Sequence, residues 1–83
     1  MELNVTGEIV PNSTLDTSGT WCPEPIMLLS ERIESLEPGD QVQLISTDPA
    51  SKRDVPKYCS AMGHRLIEQT EDNDQFEFLI QLR

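Results

Sequence analysis

Apolar residues recur with two different periods along this chain, and the switches between them mark out the elements. Ile26, Leu29, Ile33 and Leu36 step by three, four and three, which is one stripe of a 3.6-residue period. Glu31, Arg32, Glu34 and Ser35 cover the other side. This predicts a helix from the Trp21-Cys22-Pro23-Glu24-Pro25 segment to about Glu37, stopped by Glu37-Pro38-Gly39-Asp40. Gln41-Val42-Gln43-Leu44-Ile45-Ser46 alternates and then runs apolar, as a strand does. Asp48-Pro49-Ala50-Ser51 is a helix start, because Asp is a preferred N-cap and Pro fits the first helical position. That second helix runs to about Met62 and ends at Gly63, with Val55, Tyr58, Cys59 and Met62 as its apolar stripe. Pro56 removes the bond to the Lys52 carbonyl, which predicts a kink or a loosened first turn.

Strands are predicted at 14–17, 65–69 and 75–82, with Ser18-Gly19-Thr20 as a turn and Glu71-Asp72-Asn73-Asp74 as another. In the last strand Phe76, Phe78 and Ile80 share one face and Leu82 continues it. The order β-α-β-α-β-β implies an α+β, two-layer α/β sandwich: two helices on one face of a four-stranded mixed sheet. The first two strands are parallel through a right-handed crossover. Residues 1–13 read as an N-terminal tail or lead-in, and 14–83 as one domain. Both helices then start beyond the carboxyl ends of the parallel strands, where reaction sites gather in open α/β sheets. Cys22 and the Asp48–Arg53 segment are thereby brought near each other.

Size and charge narrow the chemistry. At 83 residues the chain has room for one thin core, not for a dinucleotide domain plus a substrate domain, nor for a barrel of eight strand–helix units. No apolar run approaches the roughly 18 residues of a membrane helix. The N-terminus lacks a basic and then apolar leader, so the expected location is cytoplasmic. A net charge of −9 argues against direct nucleic-acid binding and suits basic protein partners, although it also serves simple solubility. Three of the six cations, Lys52, Arg53 and Lys57, fall close together. The two cysteines, Cys22 and Cys59, form no CxxC pair, and His64 is the sole histidine, so neither a metal site nor another cofactor is expected.

Cys22 precedes Pro23. As an N-cap its sulfur sits at the positive end of a helix dipole and accepts a hydrogen bond from the Glu24 N–H, which favours thiolate. Pro23 and Pro25 stiffen the turn, Lys52 and Arg53 add positive potential, and Glu24 opposes it. These features predict a lowered thiol pKa. The plainer alternative is a small buried hydrophobe at a helix start. Cys59, on an apolar stripe, reads as an inert core thiol. Met27 and Leu28 fall off the first stripe, at about 100° and about 200° from Ile26. With Trp21 they form an exposed apolar collar for partner docking, unless Trp21 packs against the end of the core. His64 reads as a helix-end residue interacting with the dipole rather than as a catalytic base.

Leu15-Asp16, Gly19, Cys22-Pro23-Glu24-Pro25, Pro38-Gly39, Asp48-Pro49-Ala50, Arg53-Asp54-Val55-Pro56, Cys59 and Gly63-His64 together resemble the TusA/SirA family of small sulfur-carrier proteins, from residue 14 to 82. The resemblance implies a fold similar to the C-terminal domain of translation initiation factor three. It implies that Cys22 carries sulfane sulfur as a persulfide, taken from a cysteine desulfurase or similar donor and passed to an acceptor relay protein. Asp48 and Arg53 match polar positions near the family's cysteine. The implied endpoint is the 2-thio group of wobble uridine in certain tRNAs; relatives serve molybdenum-cofactor synthesis or sulfur oxidation. Where the family often has a basic residue before the cysteine, this chain has Trp21. The competing classes are a non-catalytic regulatory or protein-binding module, in which Cys22 only caps a helix, and a redox sensor, for which Cys59 is badly placed.

Overall fold

The computed structural model describes residues 11–83. Its elements run β1 (Ser13–Asp16), α1 (Glu24–Ile33), β2 (Gln41–Ser46), α2 (Ser51–Met62), β3 (Arg65–Asp72) and β4 (Gln75–Gln81). Sheet order is β1-β2-β4-β3. β1 and β2 are parallel, with Leu15 against Leu44, and β4 runs antiparallel to both β2 and β3. This is the α+β arrangement that the alternation of periods implies. Of the segment expected as a lead-in, residues 1–10 lie outside the described residues, and Ser13 already belongs to β1.

Alternation along the strands decides which face is covered. Val42, Leu44 and Ser46 on β2 lie opposite Ile80, Phe78 and Phe76 on β4, and all six are buried. Leu29 of α1 and Val55 and Cys59 of α2 close over them, with Leu15 and Leu82 at the flanks. Burying an aliphatic or aromatic side chain fully contributes roughly 1.5–3 kcal/mol, so this single layer of contacts is the main source of stability.

Three boundaries and one exposure differ from expectation, each for a local reason. The first strand starts and stops one residue early, because Thr17 leaves the ladder and turns both its N–H and its hydroxyl to the Ile45 carbonyl, at 2.7 and 2.6 Å. α1 ends at Ile33 rather than near Glu37, because Glu34, Ser35 and Leu36 donate to carbonyls three residues back, tightening the last turn. The β3–β4 connection is two residues, Asn73 and Asp74, not four. Both take positive φ, the signature of a type I′ hairpin, which lets β3 continue to Asp72. Met62 ends its stripe 48% exposed, because it sits at the last turn, beyond the edge of the core. α2 runs unbroken through Pro56, although the bonds at its entrance reach back three residues, from Lys52 to Pro49 and from Arg53 to Ala50.

Candidate functional site

The loop from β1 into α1 and the lead-in to α2 meet at the carboxyl edge of the parallel strands, and side chains stitch them together. Asp16 accepts the Ser18 N–H at 2.9 Å, turning the chain, and Gly19, at φ +83°, donates its N–H to the Thr47 hydroxyl at 2.8 Å. Asp48 is buried and uses both carboxylate oxygens. Oδ1 accepts the Ala50 N–H at 3.1 Å, and Oδ2 accepts the Cys22 N–H at 2.5 Å. Beneath it the Ser46 and Ser51 hydroxyls bond at 2.6 Å, and the Asp48 N–H donates to Ser46 at 3.1 Å. The expected capping role of Asp48 is therefore exercised one turn ahead of α2, whose geometric N-cap is Ala50. One buried carboxylate thus holds the Cys22 loop and the α2 entrance in fixed relation.

Cys22 is half-buried. It is not the N-cap of α1: that position belongs to Pro23, with Cys22–Pro23 a cis peptide bond, and the Glu24 N–H donates to the Trp21 carbonyl at 2.8 Å instead of to sulfur. The thiol is pushed up to about 12, first by burial and then by the Asp54 and Asp48 carboxylates, which favour its protonated form. The expectation of a lowered thiol pKa is thus reversed. Among the described residues no backbone N–H donates to the sulfur, and the charged groups that shift it are carboxylates rather than cations. In return, the thiol holds Asp54 below its ordinary range, with Arg53 adding to this, while the Cys22 and Ala50 N–H groups do the same for Asp48.

The two cations expected beside the sulfur are engaged with acids. Lys52 turns over β4 and β3, its Nζ 3.4 Å from Glu71 and 5.4 Å from the centre of the Phe76 ring. Arg53 is largely solvent-exposed and reaches Asp54 with its Nε at 3.0 Å. Asp54 is the residue that the spacing argument missed. It precedes Tyr58 by four, so the two share a face of α2, and Tyr58 accepts the Ser30 hydroxyl of α1 at 2.9 Å. That shared face was the available signal.

Around the sulfur, Trp21 is 74% and Met27 62% exposed, whereas Leu28 packs partly against the core. Of the expected apolar collar, then, two members face solvent and Leu28 does not. Pro23 and Glu24 are exposed, and Pro25 is fully buried, anchoring the start of α1. Among the described residues no cavity is found at the site. Cys59 is sealed in the core, and burial pushes it up to about 11. His64 follows the left-handed Gly63, and its Nδ1 accepts the Arg83 N–H at 3.3 Å. Burial and the Arg83 charge lower its pKa, so it acts as a neutral acceptor, not as a cation on the helix dipole. Among the described residues no helix is long and apolar enough to cross a membrane.

Comparison with known proteins finds relatives over most of the chain. The family described as Sulfurtransferase TusA matches residues 13–82. A sulfur carrier protein TusA from Pseudomonas putida is 40% identical over 73 residues, spanning 88% of this chain and 91% of that protein. Its namesake from Pseudomonas aeruginosa is 41% identical over 69 residues, spanning 83% and 87%. The crystal structure of a SirA-like protein from Desulfitobacterium hafniense superimposes with a TM-score of 0.72 at 27% identity, covering 83% of this chain and 95% of that one.

Proposed function

Because the chain belongs to the TusA family and is a sulfur carrier, we propose that Cys22 is the residue that bears the sulfur, as a persulfide, on a carrier domain formed by residues 14–83. The observation that carries this reading is the contrast between the two thiols. Cys22 stands half-exposed at an open edge where two helix starts meet, and Cys59 is enclosed by the core.

The family implies a donor and an acceptor in a sulfur relay. The chain then acts as a sulfurtransferase between proteins. Cys22 Sγ attacks the outer sulfur of the donor's cysteine persulfide, forming one S–S bond as the donor's own S–S bond breaks. The donor cysteine leaves as a thiolate and takes up the proton that Cys22 gives up, so no oxidant or reductant is consumed. The acceptor repeats the exchange on the Cys22 persulfide. Asp48 positions Cys22, and Trp21 and Met27 supply apolar contact area for docking. A cysteine desulfurase is the proposed donor, 2-thiouridine of tRNA the proposed endpoint, and the cytoplasm the proposed location.

Incubation with a cysteine desulfurase and cysteine, followed by intact-mass measurement, tests the assignment. The expected result is a gain of one sulfur atom on wild type and on Cys59→Ser, and none on Cys22→Ser. A Cys22→Ser chain that keeps full activity in vivo assigns the protein instead to a non-catalytic docking role.

A further inference from the structure

β2 turns polar at its last inward position. Val42 and Leu44 face the helices as apolar residues, and the next position on that face is Ser46, opposite Phe76. Ser51, the first residue of α2, meets it there; both side chains are fully buried, with their hydroxyls 2.6 Å apart. Burying hydroxyls costs free energy that an aliphatic pair does not, and proteins keep such exceptions mainly at functional sites. What this pair holds is Asp48. Ser46 Oγ accepts the Asp48 N–H at 3.1 Å, and donating to Ser51 uses its own proton. The Asp48 carbonyl accepts the Ser51 N–H at 2.9 Å, and Oδ1 accepts the Ala50 N–H at 3.1 Å. With these three groups engaged, Oδ2 is left for the Cys22 N–H. Two further ties join the Cys22 loop to the same segment, from Thr17 to the Ile45 carbonyl and from Gly19 to the Thr47 hydroxyl. Gly19 and Thr47 are exposed, so the tie nearest the sulfur is the one that rests on buried groups.

We propose that the Ser46–Ser51 hydroxyl pair positions Cys22 for sulfur transfer, acting through Asp48 rather than on the sulfur itself. The proposal rests on Cys22 being the sulfur bearer. Attack on a persulfide needs the two sulfurs aligned, and misplacing a reacting atom by about 1 Å costs on the order of a hundredfold in rate. Cys22 lies in a loop, ahead of the first turn of α1, and takes its placement from Asp48. The serine pair fixes Asp48 against the sheet and the second helix at once, because Ser46 belongs to β2 and Ser51 to α2. The two serines are not equivalent. Ser46 holds Asp48 directly, so its loss leaves a buried N–H without an acceptor. Ser51 acts only by holding the Ser46 hydroxyl in place.

The test is amide hydrogen exchange, read by NMR on the full chain, with Ser51→Ala, Ser46→Ala and the double variant. In wild type the Cys22 amide, although in a loop, is expected to exchange far below the unprotected rate. Exchange at Cys22 and Ala50 is expected to rise severalfold in Ser51→Ala and roughly tenfold in Ser46→Ala. The amides of Leu44 and Phe78 stay within about twofold of wild type. Because Ser51 works through Ser46, the double variant exchanges no faster than Ser46→Ala. Sulfur loading from a cysteine desulfurase falls in the same order, in its maximal rate and not in the donor concentration for half-maximal loading. Exchange that rises alike at every amide shows general loosening and overturns the proposal. So does Ser46→Ala loading at the wild-type rate, or a double variant whose effects multiply. An unprotected Cys22 amide in wild type also overturns it, a measurement that stands even if the variants fold poorly. A wild-type chain that never gains sulfur overturns instead the assignment of Cys22 as the bearer, on which the exchange data do not depend.

Discussion

The backbone N–H of Cys22 donates to Oδ2 of Asp48 at 2.5 Å, joining positions 26 apart in sequence. The other oxygen of Asp48 holds the Ala50 N–H, so one side chain sets the distance between the cysteine loop and the start of α2. Leaving a buried donor without an acceptor costs more than a typical hydrogen bond gains. Asp48→Ala therefore lowers the melting temperature and slows sulfur loading together, and Asp48→Asn, which keeps one acceptor oxygen, loses less of both. Thermal denaturation paired with the loading assay checks this. A variant that melts with wild type yet fails to load reduces Asp48 to a purely chemical role.

The pH dependence of stability follows from the direction of each shift. Cys22 is raised from 9.0 to about 12 and Cys59 from 9.0 to about 11. Between those limits the folded chain holds protons that the unfolded chain has released. Their contribution is complete below pH 9 and is lost as pH climbs toward 11 and 12. His64, Asp16, Asp48 and Asp54 are lowered, so their contributions fade as pH falls, from below 6.5 for His64 and below 3.8 for the carboxylates. Urea midpoints are expected to be highest between about pH 7 and 9. A midpoint that keeps rising above pH 9 contradicts the protonated thiols.

Gly63 closes α2 at φ +79°, and a Cβ there meets the Arg83 side chain at 2.8 Å. The arginine is flexible and moves aside, so the backbone conformation dominates the cost. Gly63→Ala is expected to destabilise by about 1–2 kcal/mol, and Gly63→Asn by less, since Asn tolerates this region. Urea denaturation of the two variants orders them.

Trp21 is 74% exposed, so truncating it forfeits little core packing. Trp21→Ala is expected to leave stability within about 0.5 kcal/mol of wild type while raising the partner concentration needed for half-maximal loading. Melting curves and a loading titration separate the two effects. Unchanged loading removes Trp21 from the docking surface.

Much of this architecture was legible because it depends on local periods. The three-and-four stepping of Ile26, Leu29 and Ile33, and the alternation of Val42 and Leu44 against Phe78 and Ile80, each follow from one segment's need to bury one face. The right-handed crossover then brings the starts of both helices to one edge, so the meeting of Cys22 with Asp48 was also foreseeable. The ends of the elements were not. Where Thr17 leaves β1, where α1 tightens after Ile33 and how Asn73-Asp74 turns are set by single hydrogen bonds and positive φ angles, which hydrophobic patterning does not encode.

The sequence by itself determined the sheet order's ingredients, the family, the open edge and the identity of the exposed thiol, because apolar spacing and the Cys-Pro-x-Pro and Asp-Pro-Ala segments are written in consecutive residues. Only the tertiary structure decided the sign of the electrostatics at that thiol. Lys52 and Arg53 immediately precede Asp54 in the run Lys52-Arg53-Asp54, yet a helix turns each residue by about 100° from the last. That rotation sends Lys52 to Glu71, while burial first and the Asp54 and Asp48 carboxylates after it raise the Cys22 thiol, where the sequence alone suggested that cations lower it.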